Sequence, residues 1–209
     1  MRVVRILAAI AVIVIAAIAL GTWIIRGPGP LDFSGGTKVA LAVLNLAAEK
    51  ASWGEKLPPR VGRGVSLQPS FETFIATIVE AEIDEKGEVA LRRVTSVVDT
   101  GIAVNPDTVK AQLEGGLIFG LTAALWGEIT IEGGRVQQSN FHDYRMLRIN
   151  QTPKIEVHVV KSGEPPGGIG ETGVNGGPPA LRNAIYAATG VALRRLPIDR
   201  SLIAAGKKA

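Results

Sequence analysis

The sequence predicts an α+β domain of antiparallel hairpins packed with two long helices, preceded by one N-terminal transmembrane helix. Three observations carry this expectation. Apolar and polar residues alternate at the end of residues 74–84 and again over residues 154–161, the period-two pattern of half-buried strands. Val109, Leu113, Leu117, Leu121 and Leu125 recur at helical spacing. Residues 6–25 form an unbroken apolar run without a charge. At a rise of 1.5 Å per residue such a run reaches roughly 30 Å, the thickness of a bilayer core.

Taken in order, Arg2 and Arg5 precede the apolar run, Arg26 follows it, and Trp23 sits near its far end, where an interfacial aromatic belongs. The rival reading, a cleaved signal peptide, calls for an apolar segment of about 7–15 residues and a small-residue cleavage site. The run is longer than that, and no Ala-x-Ala site follows it before Pro28. Residues 1–26 therefore read as an uncleaved anchor, and the flanking arginines place the N-terminus in the cytoplasm and the bulk of the chain outside it. Residues 27–52 read as a linker, Gly/Pro-rich at first, with a short amphipathic helix over residues 39–50.

Residues 53–209 read as the domain. Gly62-Arg-Gly64 opens it with strand signals, and residues 74–84 and 89–98 pair through a turn at Asp84-Glu-Lys-Gly87. Asp99-Thr-Gly101 and Asn105-Pro106 end the second strand, and Asp107 is a candidate cap for a helix over residues 108–126. Gly115, Gly116 and Gly120 each cost that helix about 1 kcal/mol relative to alanine. Their presence predicts close packing against another backbone or a ligand. A second hairpin, residues 128–132 and 135–140, turns at Gly133-Gly134. After the strand at residues 154–161, a last helix spans residues 180–189, with Pro178 and Pro179 in its first turn and Gly190 as its C-cap.

Composition excludes several chemistries. The 209 residues contain no cysteine, so the chain forms no disulfide and ligates no iron–sulfur cluster or c-type haem by itself. His142 and His158 are the only histidines, too few for a self-contained zinc site. Net charge is +4, but the basic residues are scattered without interleaved aromatics, which argues against nucleic acid.

The most informative stretch is residues 164–179, where Glu171 is the carboxylate inside a run of glycines. Three readings compete. It is a solvated surface turn; or a dinucleotide fingerprint, since Gly168-Ile-Gly170-Glu-Thr-Gly173 fits G-x-G-x-x-G although no strand leads directly into it; or an active-site loop presenting a general base to a cofactor. A helix starting near Pro179 would aim the positive end of its dipole at this place.

Pro165-Pro-Gly-Gly-Ile-Gly-Glu171, Asn183-Ala-Ile-Tyr-Ala-Ala-Thr-Gly190 and Arg195-Leu-Pro-Ile198 resemble the C-terminal end of the molybdopterin-binding subunit of the xanthine dehydrogenase and aldehyde oxidase family, nearest its isoquinoline 1-oxidoreductase beta-subunit branch. Val98-Asp-Thr-Gly101, Val104-Asn-Pro-Asp107, Ala111-Gln-Leu-Glu-Gly-Gly116 and Gln138-Ser-Asn-Phe-His-Asp-Tyr144 extend the resemblance over residues 53–203. Asn175-Gly-Gly177 departs from the family's pattern. The resemblance implies a C-terminal piece of a molybdenum hydroxylase acting on aldehydes or N-heterocycles. Glu171 would be the general base beside the molybdenum, and Gln112, Gly168, Ile169 and Gly170 would hold the cofactor, a molybdenum–pterin cytosine dinucleotide. No residue of the chain is expected to ligate the metal itself. His142 and Asp143 read as structural.

Residues 27–42 resemble the segment after the membrane anchor of c-type cytochrome subunits, without their haem site. The implied partners are the remainder of a molybdopterin-binding subunit, an iron–sulfur subunit, a c-type cytochrome and the bacterial inner membrane, with the soluble part periplasmic. The alternative is a non-catalytic, membrane-anchored remnant or anchoring module.

Overall fold

The computed structural model describes residues 33–206 of the chain. The expected membrane anchor lies outside the described residues. Among those residues, no helix is long and apolar enough to cross a membrane. The elements are α1 (Phe33–Lys50), β1 (Val61–Ser70), β2 (Thr73–Ile83), β3 (Val89–Asp99), α2 (Pro106–Trp126), β4 (Ile131–Glu132), β5 (Arg135–Val136), a 3-10 turn (Ile149–Gln151), β6 (Lys154–Val159), α3 (Thr172–Thr189) and α4 (Arg200–Ala204).

Four strands form one sheet in the order β1-β2-β3-β6. The first two pairings are antiparallel, and the hairpin β2–β3 turns at Asp84–Gly87 as its sequence requires. The third pairing is parallel: Val94 lies opposite Ile155 and Val98 opposite Val159. The sequence reading had only antiparallel pairs. Parallel neighbours need a long crossover, and α2 provides it between β3 and β6.

The sheet is covered on both faces. Ile75, Val79, Ala81, Ile83, Val94 and Val98 are fully or almost fully buried against α2 and α3, chiefly Leu113, Leu117, Leu121, Leu181 and Ile185. Each such valine, leucine or isoleucine contributes about 1.5–3 kcal/mol on burial. On the other face Ala76, Ile78 and Val97 meet Val43, Ala47 and Ala51. The compact unit begins at Val39, so residues 39–51, part of the stretch read as a linker, close the sheet's second face.

Two arginines hold that closure. Arg63 of β1 donates to Ser52 O at 2.6 Å and pairs with Glu80 at 2.9 Å. Arg93 of β3 donates to Lys50 O at 2.7 Å and pairs with Glu156. Both guanidiniums thus satisfy carbonyls at the C-terminal end of α1, where positive charge is favoured.

Three local expectations are corrected. The cap of α2 is Asn105, whose side chain accepts from the N–H groups of Asp107 and Thr108, and Pro106 takes the first helical position. The second hairpin shrinks to two residues on each side because its strands have no sheet to join. The last helix starts eight residues earlier than expected, at Thr172, and carries Pro178 and Pro179 inside it.

That third difference has a packing cause. A Cβ on Gly173 would sit 2.9 Å from Leu113 O, one on Gly116 3.0 Å from Gly173 Cα, and one on Gly120 would overlap Val174 O. Gly176 is held as tightly against Thr77. The glycines let α3 lie backbone-to-backbone on α2, and this burial outweighs their poor helix propensity. Pro178 has no N–H for Val174 O, and that freed carbonyl faces Gly120 of α2. Across α3's other side, Gly62 and Gly64 of β1 give room to the Ala184 and Ala180 carbonyls.

Candidate functional site

Residues 160–171 link β6 to α3 and bring Glu171 to the N-cap position of α3. This loop is tied to four other elements. Ile102 N–H donates to Glu164 O at 3.0 Å, and Gly167 N–H to Thr100 O at 2.8 Å. Gly168 N–H donates to Phe71 O at 2.7 Å, and Thr73 Oγ1 donates to Gly168 O at 2.8 Å. Gln112 Nε2 of α2 donates to Gly170 O at 3.1 Å. Gln68 Nε2 of β1 reaches Thr172 O at 3.4 Å.

The sequence motifs upstream now have a physical role. Asp99 Oδ1 accepts from Gly101 N–H at 2.9 Å. Gly101 has φ +68, and a Cβ there would overlap Pro165 O. Only glycine lets the loop pass so close. Gly167 and Gly168 lie on the β1–β2 turn, where Phe71 and Glu72 both take left-handed φ, 51 and 64. A two-residue turn with the twist of its strands demands that conformation, which costs a non-glycine residue about 1–2 kcal/mol. The hydrogen bonds from Gly168 and Thr73 brace it. Phe71, Thr73 and Thr100 were not read as site residues. Neither Phe71 nor Glu72 carries a turn signal, so no local pattern could have found the hairpin they form.

The structure brings the predicted residues together unevenly. Glu171 is exposed and makes no side-chain hydrogen bond to its helix. Its carbonyl accepts from Val174 N–H at 3.0 Å. Gly170, its neighbour in sequence, and Gln112, bonded to Gly170, are also exposed. Gly168 is also at the surface, but its N–H and C=O are both engaged within the chain. Ile169 is half-buried and packs with the cluster of Ile75, Val98, Val109 and Leu113. No described acceptor takes the N–H groups of Thr172 or Gly173, and the buried hydroxyl of Thr172 has no partner. The helix dipole therefore points at Glu171 from one residue away. Together these groups form an open wall, with an acid on a firmly held backbone, an amide side chain and the positive end of a helix.

His142 and Asp143 lie elsewhere. Asp143 closes a tight turn, accepting from the N–H groups of Ser139 and Asn140 at 2.9–3.0 Å and from Ser139 Oγ at 2.9 Å. The Asn140 N–H, then that of Ser139, holds its carboxyl down to about 2. His142 is exposed, 3.5 Å from that carboxylate.

Comparison with known proteins identifies the family. The isoquinoline 1-oxidoreductase subunit beta of Brevundimonas diminuta is 36% identical over 165 residues, 77% of this chain and 21% of that protein. A protein named membrane-bound aldehyde dehydrogenase [pyrroloquinoline-quinone], from Gluconacetobacter polyoxogenes, is 34% identical over 179 residues, 83% of this chain and 23% of that protein. Among solved structures, the aldehyde oxidoreductase of Desulfovibrio gigas superposes with a TM-score of 0.57 at 26% identity, covering 66% of this chain and 16% of that one. Quinoline 2-oxidoreductase from Pseudomonas putida 86 shares the fold at TM-score 0.58, with 22% identity, over 63% of this chain and 18% of that one. The chain thus spans only about a fifth of the length of the relatives it matches. The model of the molybdopterin cofactor-binding domain matches residues 40–153, more than half of the sequence, and the chain belongs to that family.

Proposed function

We propose that the chain supplies one wall of the active site of a molybdenum-cofactor-dependent hydroxylase acting on aldehydes or N-heterocycles, with Glu171 as its general base. The remainder of the site comes from sequence beyond these 209 residues. The observation that carries this reading is the exposed carboxylate of Glu171 at the N-cap of an 18-residue helix, on a loop whose backbone is tied to four other elements. Exposed protein loops held this firmly at so many points are shaped for function.

The residues fit one side of a pterin-type cofactor. Gln112 offers a carbonyl oxygen while its NH2 is held by Gly170, and the unpaired amides at the start of α3 suit an anionic or polar group. The molybdenum group, when bound, supplies the acceptor for the electron pair removed from the substrate carbon. Glu171 takes up the proton released as oxygen adds to an electron-poor carbon, and its place at the mouth of the wall leaves the carboxylate free to do so. Closure by the rest of the subunit excludes water from the carboxylate.

By itself the chain is expected to hold no stoichiometric molybdenum on elemental analysis. The test is reassembly with the Brevundimonas diminuta subunit shortened by its matching segment. Glu171→Gln should leave molybdenum content unchanged and slow isoquinoline oxidation by about 10²–10⁴-fold, the usual contribution of a positioned acid–base group. An unchanged rate would refute the base role. It would favour the second reading, a non-catalytic anchoring module, which the exposure of Glu171 in the chain alone supports.

The apolar run of residues 6–25 supports a further proposal, that the chain is held in a bacterial inner membrane with the domain on the periplasmic side. On this reading an iron–sulfur subunit and a c-type cytochrome carry electrons away. Protease cleavage of the domain in spheroplasts, with the N-terminus protected, checks the orientation.

A further inference from the structure

The outer edge of β6 is open. Val160 N–H donates to Val98 O at 2.8 Å, and Val98 lies opposite Val159. In a parallel ladder this register turns alternate residues toward the neighbour, so 156, 158 and 160 face β3. The N–H and C=O groups of Ile155, Val157 and Val159 then point away from the sheet. Among the described residues, none of these three N–H groups has a partner. Parallel strands are rarely left uncovered, and sheet edges are usually blunted by proline, bulges or an overlying segment. β6 contains no proline and pairs with β3 without a register shift.

Beside this edge runs a groove of about 600 Å³ lined by Ile102, Ala103, Lys110, Val157, Val159 and Ser162. Its rim is apolar and bare: Ile102 is 54% exposed and nearby Val104 is 92% exposed. An open strand edge, an adjacent groove and unburied β-branched side chains on one side of the molecule are the requirements of strand addition. Backbone bonds supply affinity there, and the groove selects side chains.

We infer that an extended segment from the remainder of the molybdenum-binding subunit adds to the sheet along β6. This occupant is favoured because the relatives continue for roughly three times the length of this chain beyond the matched part. The inference rests on the functional reading above and locates the joint that reading requires.

Amide hydrogen exchange in the full chain, read by NMR, tests it. In the chain alone, the amides of Ile155, Val157 and Val159 should exchange fast while those of Glu156, His158 and Val160 are protected. Addition of the shortened Brevundimonas subunit should slow the three odd-numbered amides by about 100-fold, as for any amide drawn into a stable ladder. Val157→Pro removes an outward N–H and no bond to β3, and it should weaken association at least about tenfold. Association without protection of these amides overturns the edge and leaves the functional reading standing. No association at all overturns both. Protection in the chain alone, with a dimer in solution, assigns the edge to a second copy and also overturns it.

Discussion

Neighbouring glycines of α2 give opposite predictions for the same substitution. Alanine in place of a helix-interior glycine gains about 1 kcal/mol from backbone entropy alone. At Gly115 an added Cβ meets nothing within 4 Å, so Gly115→Ala should keep that gain. For a domain of this size, 1 kcal/mol raises Tm by about 2–4 °C. At Gly120 the same methyl would overlap Val174 O and lie 3.0 Å from Val174 C and 3.2 Å from its Cα. These are backbone atoms and cannot swing aside, so α2 and α3 must separate where Leu117 and Leu121 are buried between them. Overpacking of this kind costs about 1–3 kcal/mol. Set against the propensity gain, Gly120→Ala should lower stability by up to about 2 kcal/mol and Tm by several degrees. Circular dichroism melts of the full chain measure both. A Gly120→Ala protein that melts higher, as Gly115→Ala should, would refute the backbone-to-backbone crossing.

Other substitutions separate anchors from bystanders. Asn105→Ala should destabilise the chain by about 1 kcal/mol in urea unfolding, through loss of the α2 cap. Arg63→Ala strands Glu80, whose side chain is 13% exposed, and should cost about 3–5 kcal/mol. Arg92→Ala, at an exposed pair, should stay within about 1 kcal/mol in the same assay. Glu171→Gln should cost no more than about 1 kcal/mol, because no hydrogen bond within the chain depends on the carboxylate and only its attraction to the α3 dipole is lost. The Asp143 turn makes a pH prediction. Its carboxyl titrates near 2 in the fold against an ordinary 3.8, so its contribution is complete above about pH 4 and is lost as pH falls through about 2. An NMR titration of the Asp143 side chain with a midpoint at or above 3.8 would overturn that picture.

Much of this molecule was written in local pattern. The strands β2 and β3, the turn at Asp84–Gly87, the strand β6 and the apolar stripe of α2 all follow from spacing, because each is decided by residues within one element. Glu171 was legible as a candidate from its glycine-rich loop, Gln112 and Gly170 only through family motifs, and the wall they form needed the fold. The β1–β2 turn at Phe71 and Glu72 was not legible, since neither residue is a turn former and the bonds that brace it come from Gly168, nearly a hundred residues away in the chain.

The sequence by itself determined which residues are apolar and where the chain can turn, and hence an α+β domain with an acid among glycines. Tertiary structure alone decided that those glycines are helix. Gly173, Gly176 and Gly177 read as loop because propensity counts only neighbours along the chain. They are helical because each lets α3 approach α2 or the sheet more closely than any side chain would permit, and the free energy of that contact is set by residues some sixty to one hundred positions upstream.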